Sequence, residues 1–327
     1  MRLSILDQVP LSEGSSYQEA YEQAKDLAVL AEKLGYHRYW IAEHHHLSGL
    51  VCPSPEVLLT YIGTQTRRIR LGSGATLLPH YKPYKVAETF HMLATLFPGR
   101  IDLGVARSPG GSAEVTNALN DHFLQKVFKY AELIDELKSF IKNPKQNPKT
   151  LAIPIPETKP EIWILGSSHK SALLAIEKDL PYTYGHFQPI NDAMEPLELY
   201  NEQTKSEDRR KKIVALPVIC GETEEEAHEL ALSESYRHLL IETGSEEMPY
   251  IPSTKSVKQK VKERPELYEQ LLSIRKRMLV GSPERIKTIL LHISNQYDID
   301  ECMLLTNIHA FNKKKQSFEL IMAAFDK

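Results

Sequence analysis

From its first residues the chain alternates short β-rich runs with amphipathic helical patterns, and that alternation admits few folds. "RLSILD" is strand-like. The following "SSYQEAYEQAKDLAVLAEKLG" puts Ala20, Ala24, Leu27, Ala28, Ala31 and Leu34 on one face of a 3.6-residue period. Ser16 and Glu19 form a capping-box pattern, and Gly35 suits the helix end. The unit then repeats. "RYWIAE" precedes the Pro-initiated "PSPEVLLTYIGTQT", "RIRLGSGATLL" precedes "KPYKVAETFHMLATLF", and "RIDLGVA" precedes a long helix expected from about Asn117 to Ile141. Residues 143–160, rich in Pro, Asn and Lys, read as a surface connection. "EIWILG", "PYTYG", "KIVALPVIC" and "ECMLLT" then bring the strands to eight, each followed by a helical pattern. From Gly244 a polar, Pro-broken stretch reads as an insertion or lid, spanning about residues 244–281, before Ser282 and Pro283 restart a helix.

Eight βα units whose strand interiors read as uncharged fit an α/β fold of one domain, residues 1–327. They predict a (β/α)8 TIM barrel with the lid after strand seven. An open doubly wound sheet would more naturally carry a GxGxxG turn after the first strand, and none is present. With 42% hydrophobic residues over 327 positions the chain can bury a full core. Its 40 basic and 43 acidic side chains leave a formal net charge of -3, so no global field points at nucleic acid or a membrane. Small molecules are the expected partners. Cys52, Cys220 and Cys302 are too far apart for a disulfide framework or CxxC metal spacing. No signal-peptide pattern opens the chain and no apolar run approaches a membrane span, so a soluble, cytoplasmic protein is expected.

In a barrel, chemistry collects at the C-terminal ends of the strands. That rule selects Glu43 to His46, Ser73 to Leu78, Ala106 to Ser112, Gly166 to Ser171, Gly185 to Phe187 and Thr306 to His309. Neighbouring strand residues point to opposite faces, so His44, His45 and His46 cannot converge on one metal, and no zinc-type spacing supports a metal site. The triplet reads as a proton handler or as a wet loop, with His44 or His45 facing the mouth. In "GVARSPGGS", Arg107 is either a phosphate fork beside permissive glycines or the partner of a rim carboxylate. In "WILGSSHKSA", Gly166, Ser167, Ser168 and Ser171 open a helix, which is what a phosphate monoester requires; a plain N-cap accounts for one serine but not three. "GSGATLLP" would let a flat ring lie against the backbone, or would make a tight bulge. Trp40, Trp163 and Tyr39 read as core.

With these segments assembled, the chain resembles the bacterial luciferase-like flavin monooxygenases, in their single-polypeptide branch. The carrying strings are "LAEKLGYHRYWIAEHHH", "IRLGSGATLLPHYKPYKVAE", "FPGRIDLGVARSPGG", "EIWILGSSHKSA" and "VGSPERI". The resemblance implies that Arg107 binds an FMN phosphate together with Gly166, Ser167, Ser168 and Ser171. It implies a non-proline cis peptide at Gly74 and Ala75 under the flavin ring, and His44 as the acid/base beside the reactive edge. Reduced FMN from a separate NAD(P)H-dependent flavin reductase would react with dioxygen and oxygenate a small, fairly apolar substrate such as an aldehyde. A homodimer is implied through the helices at Pro55 to Thr64 and Lys82 to Leu96, with Tyr61, Tyr84 and Phe90 as apolar surface. The chain departs from bacterial luciferase at Ala106, where that enzyme has a reactive cysteine, and no light emission follows. Its strand-eight end "TNIHAF" and its lid match poorly. Two alternatives are a deazaflavin-dependent hydride-transfer enzyme and a non-catalytic flavin-binding protein.

Overall fold

Among the described residues nine parallel strands organise the fold: β1 (Arg2–Asp7), β2 (Arg38–Ile41), β3 (Arg70–Leu77), β4 (Ile101–Ala106), β5 (Glu161–Gly166), β6 (Tyr182–Gly185), β7 (Lys212–Cys220), β8 (Leu279–Gly281) and β9 (Glu301–Leu305). In this computed structural model, which describes residues 1–47, 49–142, 149–204, 211–244 and 250–326, β1 to β7 pair in order. β7 then pairs with β9 and β9 with β1, so eight strands close a barrel. The expected TIM barrel is the observed fold. The short β8, read in the sequence as the end of the lid-like insertion, extends the far end of β7 from outside the ring.

The helices are α1 (Tyr17–Leu34), α2 (Pro55–Gln65), α3 (Pro83–Leu96), α4 (Ala113–Leu119), α5 (Phe123–Phe128), α6 (Tyr130–Lys142), α7 (His169–Glu177), α8 (Glu195–Gln203), α9 (Glu224–Glu242), α10 (Thr254–Glu263), α11 (Leu267–Arg275), α12 (Pro283–Gln296) and α13 (Phe311–Phe325). Local chemistry sets their ends. In α1, Ser16 N–H donates to Glu19 Oε2 at 2.7 Å, Glu19 N–H donates back to Ser16 Oγ at 3.2 Å, and Gly35 closes the helix at φ +87°. The single helix expected from Asn117 to Ile141 is instead the three pieces α4, α5 and α6. Asn120, in extended conformation, breaks it: its Oδ1 accepts from His122 N–H at 3.0 Å and its Nδ2 donates to Pro79 O at 2.8 Å.

Strand alternation builds two cores. Ile5 and Ile41 point outward into the layer between strands and helices. Leu6, Trp40, Ala42, Trp163, Ile213, Ala215, Met303 and Leu305 point inward and fill the barrel. The expectation of uncharged strand interiors fails. Arg38, Asp102 and Glu301 are buried on β2, β4 and β9. Arg38 Nη1 meets Asp102 Oδ2 at 2.7 Å, and its Nε meets Glu301 Oε1 at 2.9 Å. Ser4 Oγ donates to Glu301, Trp40 Nε1 to Asp102, and the guanidinium lies 4.7 Å from the Trp163 ring centre. Together with the half-buried Arg70, which also meets Asp102, the charges pair across strands, a relation that hydrophobic patterning along the sequence did not reveal.

Between α9 and α12 the expected insertion consists of α10, α11 and β8. Tyr236 of α9 packs with Val257, Leu267 and Leu271, and the Ile251 backbone pairs with Leu11 and Glu13 after β1. Residues 245–249, which include Met248 in the expected lid, lie outside the described residues. Phe90 is buried rather than on the surface, and Tyr84 is half-buried with its hydroxyl donating to Leu151 O. No helix among the described residues is long and apolar enough to cross a membrane.

Truncating Arg38 would leave the buried Glu301 without its cation and Asp102 with the half-buried Arg70 alone. Arg38→Ala should therefore lower the free energy of unfolding by about 3–5 kcal/mol, read from urea denaturation; a loss below about 1 kcal/mol would show that the cluster is not needed.

Candidate active site

At the C-terminal end of the barrel a cavity of about 250 Å³ opens among the ends of β1 to β7. Its wall is largely apolar, from Leu6, Ala42, Leu77, Leu165, Ala215 and Phe187. His44, Gly74, Ala75, Gly166 and Ser167 line it as well, so five of the residues expected at a site converge here. A hollow of about 620 Å³ lies at the opposite end, lined by Met1, Arg2, Glu32, His37 and Arg68 among others. That end of a barrel carries stability rather than chemistry.

The histidine triplet divides into three roles. Glu43, buried, accepts from Leu77 N–H at 3.0 Å and from the Tyr81 hydroxyl at 2.6 Å, and its Oε1 lies 2.8 Å from His45 Nε2. His45 is thereby committed to the carboxylate, and its N–H donates to Gly110 O. His46 is exposed at φ +48°, as a loop residue. His44 is left to the cavity. Its Nδ1 is buried without a hydrogen-bond partner among the described residues. Burial, then the charge of Arg237 and then His45, push its pKa down from 6.5 to about 4. At neutral pH it is a neutral imidazole that can accept or pass a proton.

The third wall is the distorted part of β3. The register with β4 shifts between Ser73 and Thr76, and the Gly74–Ala75 peptide is cis, as the resemblance implies. A Cβ on Gly74 would come within 2.6 Å of Leu6 Cδ1, so this stretch of wall stays flat. The tight bulge expected as one reading of "GSGATLLP" is present.

Arg107 follows β4 and is exposed; among the described residues it makes no hydrogen bond or ion pair, so the rim carboxylate of the structural reading is not there. One strand on, Gly166 and Ser167 lead into α7. Ser168 N–H donates to Ser171 Oγ at 3.2 Å, and Ser171 Oγ donates to Ser168 O at 2.6 Å and lies 3.0 Å from the Tyr182 hydroxyl. Ser171 thus shapes the turn from behind, and a Cβ on Gly166 would strike it at 2.5 Å. The first N–H groups of α7, on His169 and Lys170, have no acceptor inside their own helix.

Comparison with known proteins decides the family. A family profile described as "Luciferase-like monooxygenase" matches residues 1–295. The chain belongs to the luciferase-like monooxygenase family. It is 34% identical to a luciferase-like monooxygenase of Escherichia coli (strain K12), over 98% of this chain and 95% of that one. It is 32% identical to the N-acetyl-S-alkylcysteine monooxygenase of Bacillus subtilis (strain 168), over 99% and 98%. Among solved structures, apo-MsnO8 superposes with a TM-score of 0.90 at 30% identity, over 99% and 98%. The fold alone is shared with the oxygenating constituent of 3,6-diketocamphane monooxygenase from Pseudomonas putida, solved in complex with FMN, at a TM-score of 0.69 and 18% identity, covering 98% of this chain and 96% of that one.

The mouth of this luciferase-like monooxygenase also holds residues that no sequence signal singled out. Thr183, on β6, lines the cavity, and its buried Oγ1 has no partner among the described residues. Gln8, just past β1, lines the cavity too. The rule that pointed to strand ends could have found Gln8 in "LDQVP", had β1 been ranked with the others. Thr183 sits within a strand and offered no such cue.

Because the His44 pKa is depressed in the folded state, the native fold resists protonation there. Stability is retained above pH 6.5 and is lost as pH falls through about 4. Relative to His44→Asn, wild type should therefore lose stability on acidification across this window, by no more than about 3 kcal/mol, with the difference flat above neutrality. Chemical denaturation of both proteins along a pH series measures it; a difference independent of pH would mean that His44 titrates normally.

Proposed function

We propose that this protein is an FMN-dependent monooxygenase that takes reduced FMN from a separate NAD(P)H-dependent flavin reductase and, with dioxygen, oxygenates a small organic substrate. The observation that carries the reading is the convergence on one cavity of His44, the Gly74–Ala75 stretch and the Gly166–Ser167 turn before α7, with Arg107, which makes no hydrogen bond or ion pair among the described residues, at the neighbouring strand end.

The residues fit a flavin mononucleotide. Arg107, Ser167 and the first turn of α7 would hold the phosphate, because an always-charged fork and free helix N–H groups suit an anion. Ser168 and Ser171 would hold that turn in shape. Gly74 and Ala75 would bear the ring, since the two carry at most a methyl group on the cavity lining. Bound reduced flavin supplies the electrons that activate dioxygen, with one oxygen atom passing to the substrate and the other leaving as water. His44, neutral and aimed into the cavity, would move the proton that this exchange requires. The apolar wall of Leu6, Leu77, Leu165 and Phe187 would exclude bulk water from the reacting atoms. Aldehydes are the first substrate class to assay, and the name of the Bacillus relative adds thioethers.

The runner-up, deazaflavin-dependent hydride transfer, draws on a fold-level likeness to an F420-dependent secondary alcohol dehydrogenase at 15% identity and a TM-score of 0.65. Relatives at 34% and 32% identity bear monooxygenase names. A non-catalytic flavin carrier would have no need of an imidazole in the cavity.

Charge-assisted bonds to phosphate contribute about 1.5–3 kcal/mol each, so Arg107→Ala should weaken FMN by about ten- to a hundredfold and riboflavin little, by fluorescence titration. His44→Ala should keep FMN affinity within about threefold, yet lose coupled product and release hydrogen peroxide, with a rate deficit of about 10²–10⁴. Equal losses for FMN and riboflavin, or unimpaired coupled turnover without His44, would remove the proposed roles.

Homodimerisation is part of the same reading. Val57, Tyr61, Met92 and Leu96 expose apolar surface around one hollow between α2 and α3. Sedimentation at micromolar concentration should give a dimer, and Met92→Lys with Leu96→Glu should give a monomer that retains the fold by circular dichroism.

A further inference from the structure

Beside the cavity, a chain of buried polar groups runs from α9 to the end of β1. Glu234 is buried and faces Arg237, which donates from Nε to Oε2 at 2.8 Å and from Nη2 to Oε1 at 2.7 Å; His238 Nε2 is 3.1 Å from the same Oε1. Burial opposes the charge, yet Arg237 and His238 outweigh it and hold the carboxyl well below the usual range. An ionised carboxylate only accepts hydrogen bonds. Asn307 must therefore turn its amino group to Glu234, and Nδ2 donates to Oε1 at 3.0 Å.

That choice propagates. The second Nδ2 proton of Asn307 goes to Gln8 Oε1 at 2.8 Å, which spends the Gln8 oxygen. A flipped Gln8 would set amino group against amino group, so its orientation follows from the charge on Glu234. What Gln8 has left is Nε2, which has no hydrogen-bond partner among the described residues, and Gln8 lines the cavity with His44. The cavity wall is thus given a donor of fixed sense by a carboxylate that does not itself line it.

We propose that Gln8 is a specificity-determining residue whose Nε2–H donates to a carbonyl-type oxygen of the molecule held in the mouth, with Asn307 and Glu234 as the positioning residues that set its direction. This rests on the mouth being the flavin and substrate cavity. The oxygen could belong to the pyrimidine edge of the flavin or to the organic substrate, since both present such an acceptor.

Full-length wild type, Gln8→Met, Gln8→Glu and Asn307→Leu, each checked for folding by thermal melting, separate the sources. FMN and riboflavin affinities are measured by fluorescence quenching. Octanamide, octanoate and octylammonium are then titrated calorimetrically, with and without FMN. If the oxygen is the substrate's, wild type should bind octanamide and octanoate about tenfold or more tighter than octylammonium. Gln8→Met should level that order, Gln8→Glu should invert it, Asn307→Leu should reduce it, and flavin affinity should hardly change. If it is the flavin's, Gln8→Met should weaken FMN and riboflavin alike by about tenfold, with no preference among the probes. Unchanged flavin affinity in Gln8→Met, together with a probe preference that this variant keeps as in wild type or that wild type itself lacks, overturns the proposal. Failure of wild type to bind either flavin would instead remove the flavin reading, while the order of the probes without FMN would still test Gln8.

Discussion

A buried guanidinium decides how this barrel is filled. Arg38 stands on β2 inside the N-terminal end, bridging Asp102 of β4 and Glu301 of β9, so three strands that are not all neighbours share one charge cluster. Such a cluster is tolerable only when each charge is paired and hydrogen-bonded. Ser4, Arg70 and Trp40 provide the additional bonds. Above it Trp40 and Trp163 meet edge to face at 5.5 Å and fill the middle of the barrel. Only then do the inward residues become small: Ala42, Gly74, Ala75 and Ala215. Because the bulky layers occupy the lower part, the free volume lies at the C-terminal mouth, where a ligand can enter.

Glu43 plays the corresponding part at the top. One carboxylate binds a backbone N–H at the end of β3, the hydroxyl of Tyr81 and a ring nitrogen of His45, and so fastens the end of β2 to its neighbour. Its second consequence is chemical. By engaging His45 it separates two adjacent histidines into a structural one and a cavity-facing one, and the positive φ of His46 turns the third away into solvent.

The barrel was legible because periodicity is a local property, and each of the eight ring strands carries its own. Arg107, the "GSS" turn and the Gly74–Ala75 wall were legible for a similar reason: the small or charged residues stand consecutively at a strand end. What escaped the sequence is relational. Arg38, Asp102 and Glu301 lie far apart along the chain, so nothing local announces that their charges meet. The break at Asn120 depends on an acceptor at Pro79, and β8 exists as a strand only because β7 offers it an edge. Gln8, just past β1, and Glu234 of α9 read alone as ordinary polar residues, and although Asn307 falls in the strand-end segment Thr306 to His309, nothing local ties it to either.

Unsatisfied polarity follows the same geometry. A buried polar atom without a partner costs about 1–3 kcal/mol, and such atoms are kept where something else compensates for them. His44 Nδ1 and Thr183 Oγ1 belong to residues of the cavity wall, and Asn307 Oδ1 to the residue that orients Gln8. Around them the wall offers little competing polarity, so a hydrogen bond made there acts in a low-dielectric setting and discriminates strongly between ligands that can complete it and those that cannot. The charge that orients this set, on Glu234 and Arg237, stays buried in α9 outside the lining. The mouth thereby gains direction from charges outside its lining, while Glu43, the carboxylate within it, is engaged by Leu77, Tyr81 and His45.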